Sequence, residues 1–183
     1  RLKLIAYVNG DGIGDLIIAS SGGGKVLLGA TDFTGEVGAS FRIPGGGGGY
    51  AIDAADINGD GADDILAEAG ATLYIYYGGE ELDSLPSFVL HSPRGIVSIR
   101  HGDFNGDGFI DIVTGNLGDS TVVWYGGASM DTTYDYVLGG YLLDGTKIIA
   151  SKPLLGDLNG DRIDDIALIT SPVDDPLGPN VLI

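Results

Sequence analysis

The chain has 183 residues, of which 26 are acidic and 9 are basic, so its formal net charge is −17 at pH 7. This charge argues against nucleic-acid binding, because affinity for phosphates comes from clustered Lys and Arg side chains. Hydrophobic residues make up 44% of the chain, which predicts a folded core rather than a disordered acidic tail. No apolar run reaches the roughly 18 residues needed to cross a bilayer, so we expect no membrane insertion.

Glycine makes up 33 of the 183 residues, and some of it recurs at a regular spacing. The tripeptide Asn-Gly-Asp begins at Asn9, Asn58, Asn105 and Asn159, in steps of 49, 47 and 54 residues. A period of this length is typical of propellers and other repeat folds. Each tripeptide lies in an acidic loop that leads directly into a short apolar segment.

The segments between these loops have the pattern of short β-strands. They are rich in Val, Ile, Tyr and Phe and are bounded by Gly, Asp or Pro, and no segment shows the spacing of an amphipathic helix. The pairs Leu28-Gly29, Tyr77-Gly78 and Tyr125-Gly126 close one such run in each of the first three repeats. Four short antiparallel strands in each repeat predict an all-β fold, namely a β-propeller segment with three blades and most of a fourth.

We predict one repeat domain over residues 1–183. Its blades are expected at about 1–43, 50–91 and 95–138, with a partial fourth blade at about 146–183. Closed propellers have about 4 to 8 blades. The chain could therefore belong to a longer propeller, copies could complete one another, or the fourth blade could close on the first. We favour the first alternative, so we expect the rest of a longer chain, or neighbouring subunits, to complete the ring.

The four acidic loops follow the pattern DxNxDGxxD, and we number their positions 1 to 9. Loops 1 to 4 are residues 7–15, 56–64, 103–111 and 157–165. Side-chain oxygens at positions 1, 3, 5 and 9, with a backbone carbonyl at position 7, suit Ca²⁺, which prefers oxygen ligands. The predicted metal ligands are Asn9, Asp11, Ile13 and Asp15; Asp56, Asn58, Asp60, Ala62 and Asp64; Asp103, Asn105, Asp107, Phe109 and Asp111; and Asp157, Asn159, Asp161, Ile163 and Asp165. We therefore expect three to four structural calcium ions.

Two loops depart from this pattern. Tyr7 occupies position 1 of loop 1, which leaves that site with two carboxylates and predicts weaker binding. Arg162 occupies position 6 of loop 4, where the other loops have Gly, and a left-handed conformation there would cost about 1 kcal/mol. An alternative interpretation is that the Asp and Asn side chains form metal-free Asx turns. An EF-hand is excluded, because position 12 is never acidic.

The segments DINGDGADDIL, DFNGDGFIDIV and DLNGDRIDDIA resemble the calcium loops of FG-GAP and VCBS-type repeats, the family that includes the integrin α-subunit propeller. This resemblance implies that each loop joins the first two strands of a blade and holds calcium at one rim. The family is usually seven-bladed, which implies that about half of a propeller is present. The absence of Gly-Ala-Pro favours the broad bacterial type of repeat over a true integrin domain.

The sequence contains no recognisable catalytic motif. It lacks HExxH, GxSxG and Walker-type patterns, and its paired acids are accounted for by the loops. Tyr76, Tyr77, Trp124 and Tyr125 could stack on sugar rings, but their repeat positions favour packing. We therefore expect no enzyme activity. We expect a secreted, calcium-stabilised, adhesion-like scaffold that binds a protein or glycan. The alternatives are a filament subunit completed by strand exchange and an accessory domain of a secreted polysaccharide-active enzyme.

Overall fold

The computed structural model describes residues 2–20, 22–32, 34–35, 37–44, 51–82, 84–127, 130–141, 147–171 and 180–182. All regular structure in these ranges is β-strand. Within them, no helix is long and apolar enough to span a membrane. The chain forms two compact units, Arg1–Ile96 and Val97–Ile183.

The first unit contains two four-stranded antiparallel sheets whose strands follow one another in chain order. Strands β1 to β4 span Leu2–Ala6, Asp15–Ser20, Gly23–Leu27 and Val37–Arg42. Strands β5 to β8 span Ile52–Ala55, Asp64–Ala69, Thr72–Tyr76 and Phe88–His91. Both sheets have the up-and-down order of a propeller blade, which confirms the fold class predicted from the repeats.

The second unit contains strands β9 to β12, which span Ile96–Gly102, Asp111–Asn116, Ser120–Trp124 and Tyr136–Tyr141. Strands β13 to β15 follow at Lys147–Gly156, Asp165–Ser171 and Asn180–Leu182. All seven strands form one antiparallel sheet, because β12 pairs with β13 through Gly140 with Ile148 and Tyr141 with Lys147. This pairing joins two strand groups that the repeat pattern assigns to separate blades. The predicted blade limits at residues 1, 50, 146 and 183 lie outside the described residues.

The core of the first unit is shared by its two sheets. Its buried cluster contains Ala6, Val8, Ile17, Ala19, Val26, Phe41, Ile43, Ile65, Ala67 and Tyr76. The rings of Phe41 and Tyr76 lie 5.1 Å apart, and the Tyr76 hydroxyl donates a hydrogen bond to the carbonyl of Arg42. Each large apolar side chain buried in this way contributes about 1.5 to 3 kcal/mol, so the two sheets stabilise each other.

In the second unit, every residue of β10 and β11 is buried, and Ile99 of β9 and Leu168 of β14 are buried as well. Trp124 is fully buried and its ring contacts that of Tyr134 edge-on at 6.5 Å. Burial of Trp124 and Tyr76 agrees with the packing role predicted for these two aromatic residues. Tyr77 and Tyr125 are only partly buried.

Candidate metal centre

The four acidic loops occupy equivalent places in the fold. Each loop joins the first strand of a repeat to the second, at β1–β2, β5–β6, β9–β10 and β13–β14. The Asp at position 9 is always the first residue of the second strand. All predicted ligands therefore lie in, or directly beside, a strand-to-strand connection.

The backbone at positions 4 and 6 explains the glycines of the repeat. All eight of these residues have φ between 72° and 93°, the left-handed region that L-residues other than Gly adopt only with strain. Seven of them are Gly, and the exception is Arg162, with φ of 75°. The left-handed conformation that the sequence suggested for Arg162 is thus present.

The position-1 carboxylate ties the loop together. In loop 2, the Asp56 carboxylate accepts hydrogen bonds from the backbone amides of Gly59, Asp60 and Gly61, at 2.7, 3.0 and 2.8 Å. Asp103 and Asp157 accept the equivalent three bonds in loops 3 and 4. In loop 4 the amide of Arg162 is the main cause of a lowered pKa for Asp157, because it stabilises the charged form.

Positions 3 and 5 form a second set of contacts that is repeated in the loops. The Asn58 side-chain oxygen accepts from the amide of Asp60, while the Asn58 amide group donates to the Asp60 carboxylate. The amide of the position-7 residue Ala62 donates to the other Asp60 oxygen. These bonds have the geometry of Asx turns, in which Asp and Asn side chains cap nearby amides. The side chains at positions 3 and 5 of loop 2 are exposed to solvent.

The position-9 Asp has a different environment. Asp64 is fully buried, and its two oxygens accept hydrogen bonds from the amides of Ile57 and Gly78, at 2.9 and 2.8 Å. Burial raises the pKa of Asp64 to about 6 despite these hydrogen bonds, which act in the opposite direction. Asp15 and Asp111 make the same bridge to Gly29 and Gly126.

Position 9 is therefore a structural clamp as well as a predicted ligand. In loops 1 to 3 it links the start of the loop to the glycine that follows the third strand of the same sheet, and in loop 4 the Asp165 carboxylate accepts from the amide of Leu158 at the start of the loop. Sequence analysis identified both ends of this bridge as repeat landmarks, but did not connect them. The nearly constant separation of Asp and Gly, which is 14 residues for Asp15 with Gly29 and for Asp64 with Gly78 and 15 residues for Asp111 with Gly126, is the signal that could have done so.

Position 8 connects neighbouring loops within each unit. The carboxylate of Asp63 accepts from the amide of Tyr7 at 2.8 Å, and the amide of Asp63 donates to the carbonyl of Tyr7 at 2.9 Å. Asp164 makes the same pair of contacts with the backbone of Asp103. The sequence signal for this contact is a second Asp directly before the position-9 Asp. Position 8 is Asp only in loops 2 and 4.

The donors offered by the loops fit calcium in their chemistry, since they are carboxylate, amide and carbonyl oxygens only. Loops 2, 3 and 4 supply the full set, and loop 1 lacks a carboxylate at position 1. Within the described ranges, no three acidic or histidine side chains are grouped so as to hold one metal ion. The loop carboxylates instead bond to backbone amides, so an ion would compete with these amides for the same oxygens. The observed hydrogen bonds follow the Asx-turn interpretation, whereas the donor chemistry favours calcium.

Replacement of Arg162 with Gly should stabilise loop 4. We expect Arg162→Gly to raise the free energy of unfolding by about 0.5 to 1 kcal/mol, because Gly adopts positive φ without strain. Arg162→Ala removes the same charge but keeps the Cβ atom, so it should give no such gain. Gly108→Ala is the reverse test, because its Cβ atom would meet no neighbour within 4 Å and only the backbone conformation is penalised. Urea unfolding measures the free energy of unfolding of all three variants. If Arg162→Ala were stabilised as much as Arg162→Gly, the explanation from backbone strain would be contradicted.

Comparisons with known proteins support the repeat and the fold. The sequence model of the FG-GAP-like repeat family matches residues 8–67, which include all of loop 2 and all of loop 1 except Tyr7. No curated protein matches the chain. The fold resembles part of the Tc holotoxin pore of Photorhabdus luminescens, with a TM-score of 0.59 at 13% identity. It also resembles part of the biofilm matrix protein Bap1 of V. cholerae, with a TM-score of 0.54 at 22% identity.

Both structural matches cover 98% of this chain. The chain spans only 9% of the toxin chain and 26% of the biofilm protein. At these identities the likeness shows the fold alone. The chain is therefore similar to an FG-GAP-like repeat over about a third of its length, and it shares a blade-like β fold with parts of two larger proteins.

Proposed function

We propose that this chain is a calcium-stabilised, non-catalytic segment of an extracellular propeller, and that it serves as an adhesion-like scaffold for a protein or glycan. The observation that carries the proposal is the fourfold repetition of one loop, with oxygen donors in the same positions each time. In these loops 13 of the 26 acidic residues are concentrated, while Arg162 is the only basic residue. Bound calcium would offset the repulsion between these carboxylates and couple ion binding to folding.

In loops 2 to 4, the residues that would hold calcium are the side chains at positions 1, 3 and 5 with the backbone carbonyl at position 7. The position-9 carboxylate would contribute while it keeps its clamp on the backbone. The ion would supply only a fixed positive charge to the connection between strands. The chain's own contribution is a loop whose glycines already have the required left-handed backbone.

The extracellular assignment follows from the proposed metal. Calcium sites of low affinity fill only where the ion approaches about 10⁻⁴ to 10⁻³ M, as it does outside cells. The likeness in fold to a biofilm matrix protein is compatible with such a location. The small share of each larger protein that this chain matches also suits a module that works within a longer chain or an assembly.

A calcium titration by calorimetry tests the proposal. We expect three to four ions to bind, with loop 1 the weakest site. Tyr7→Asp should convert loop 1 into a strong site, because it restores the missing carboxylate, and Tyr7 is 51% exposed. Loop 3 already has an Asp at position 1 in this arrangement, since the backbone amide of Asp103 donates to the carboxylate of Asp164. Absence of binding to the unchanged protein would refute the calcium assignment, and Tyr7→Asn serves as the uncharged control.

A further inference from the structure

The four acidic loops share a dipeptide whose chemistry the calcium proposal does not use. Positions 3 and 4 are Asn-Gly in every loop, an apolar residue precedes them and Asp follows. Asn is a thermolabile residue. A glycine after it has no Cβ atom to shield its backbone nitrogen, which can therefore attack the Asn side-chain carbon. Because this local sequence is so similar in all four loops, sequence alone predicts similar reactivity for each.

The surroundings of the glycine nitrogen differ between loop 1 and the other loops. In loops 2 to 4 this nitrogen donates a hydrogen bond to the position-1 carboxylate, at 2.7, 2.7 and 2.6 Å. Loop 1 has Tyr7 at position 1, and the nitrogen of Gly10 donates instead to the Tyr7 backbone carbonyl, at 3.4 Å. That distance exceeds the roughly 2.7 to 3.2 Å that is usual for such bonds. The Gly10 nitrogen is thus the least restrained of the four.

The other contacts of the Asn-Gly pair are alike in the loops. Asn9 Oδ1 accepts from the amide of Asp11 at 3.1 Å, and Asn9 Nδ2 donates to the Asp11 carboxylate at 2.9 Å. Asn58 and Asn105 make the same two bonds in loops 2 and 3. The glycine after each Asn has φ between 72° and 84°. Among the bonds of these atoms in loops 1 to 3, the one at the glycine nitrogen is therefore the difference.

We propose that Asn9 is a site of spontaneous deamidation, and that it reacts faster than the equivalent Asn of the other loops. The Gly10 nitrogen forms a bond to Cγ of Asn9 while the bond from Cγ to Nδ2 breaks, and the Gly10 amide proton leaves with Nδ2 as ammonia. Water then opens the resulting succinimide ring at either carbonyl. The hydroxyl group of the water adds to that carbon and its proton returns to the nitrogen, so the products are aspartate and isoaspartate at this position.

A carboxylate that holds the amide proton suppresses the first step. The nitrogen must lose this proton to become a nucleophile, and a negatively charged acceptor keeps the proton in place. Hydrogen bonds to charged groups are roughly twice as strong as neutral ones, and this bond must break before the nitrogen can turn towards Cγ. We therefore expect Asn9 to deamidate about tenfold faster than the Asn of loops 2 to 4.

The modification would change the predicted calcium site of loop 1. Aspartate at residue 9 would give the loop a third carboxylate, beside those of Asp11 and Asp15. Asn9→Asp, which reproduces this product, should therefore bind calcium more tightly than the unchanged chain. Isoaspartate would instead lengthen the backbone within the turn. This consequence rests on the proposed function, whereas the deamidation itself does not.

The test is incubation of the full chain in mildly alkaline buffer with EDTA, followed by peptide mass spectrometry of the four loops. Deamidation is measured from the mass gained when a side-chain amide becomes a carboxyl group. Tyr7→Asp should slow the reaction at Asn9 about tenfold, because its carboxylate would hold the Gly10 amide. Tyr7→Leu adds no acceptor and should leave the rate unchanged, and Tyr7 is exposed enough for both replacements. Incubation in concentrated urea should bring the four rates together, because unfolding removes the carboxylate bonds.

Equal rates in the four folded loops, or an excess in loop 1 that persists in urea, would overturn the inference. Solvent exposure predicts the opposite order, because Asn9 is half-buried while the Asn of loops 2 to 4 is exposed, so a slowest loop 1 would also overturn it. An unchanged rate in Tyr7→Asp would do the same. All rates are measured in EDTA, so the two proposals can fail separately. Rapid deamidation at Asn9 without calcium binding would remove only the metal assignment, and calcium binding without rapid deamidation would remove only this inference.

Discussion

Asp15→Ala is expected to lower the free energy of unfolding by about 3 kcal/mol, with calcium or without it. Asp15 is fully buried, and its carboxylate accepts hydrogen bonds from the amides of Val8, Asn9 and Gly29, at 2.8, 3.3 and 2.8 Å. Alanine would leave these amides without an acceptor. Loop 1 lacks the position-1 carboxylate, so the loss should be structural rather than a loss of metal.

The matched control is Asp11→Ala in the same loop. Asp11 is exposed, and water can replace its hydrogen bonds to the amide of Ile13 and the side chain of Asn9. This variant should cost no more than about 1 kcal/mol in the absence of calcium. Urea unfolding in EDTA compares the two. Equal losses would show that position 9 is not the clamp, and Asp15→Asn, which keeps one acceptor oxygen, should fall between them.

Asp56→Ala should remove most of the calcium-dependent stability of loop 2. A site occupied at 100 times its dissociation constant adds about 2.7 kcal/mol to the folded state, and this variant removes a predicted carboxylate ligand. In EDTA, the same variant loses only the hydrogen bonds to the amides of Gly59, Asp60 and Gly61, at a cost of about 1 kcal/mol. The difference between the stability lost in calcium and the stability lost in EDTA is the contribution of metal binding, apart from that of the hydrogen bonds in the turn.

The control for Asp56→Ala is Asp32→Ala, because Asp32 is an exposed acid of the same unit outside the four loops. It makes the same change in net charge, so it should leave the calcium-dependent part of the stability unchanged. A thermal melt of each variant in calcium and in EDTA provides the comparison. If Asp56→Ala lost the same stability in both conditions, its carboxylate would be only an Asx-turn acceptor.

Local sequence patterns were sufficient to predict much of this fold. The spacing of Asn-Gly-Asp and the short apolar runs predicted the strands, and the glycines at position 6 indicated a left-handed backbone there. These features depend on residues close together in the chain. The unusual Arg162 could be recognised for the same reason, since its position is defined by the glycines of the other loops.

Sequence analysis missed contacts for two reasons. The bonds between Asp63 and Tyr7 join residues far apart in the chain, so no local pattern reveals them. The pairing of β12 with β13 joins consecutive strands, but the repeat pattern places a blade boundary between them. A cavity in the second unit is likewise lined by Tyr125, Tyr136 and Asp164, which come from three different segments. Composition placed these residues among packing aromatics and loop acids, because a local pattern cannot show which of them share a cavity.

The central claim, that calcium stabilises the repeated loops, is tested most directly by a thermal melt of this chain in millimolar calcium and in excess EDTA. Each site occupied at 100 times its dissociation constant should contribute about 2.7 kcal/mol, so three filled loops should produce a large rise in Tm. Magnesium at the same concentration should have a smaller effect, because it requires a stricter octahedral geometry. Coincident melts in calcium and EDTA would contradict the account and identify the loops as metal-free Asx turns.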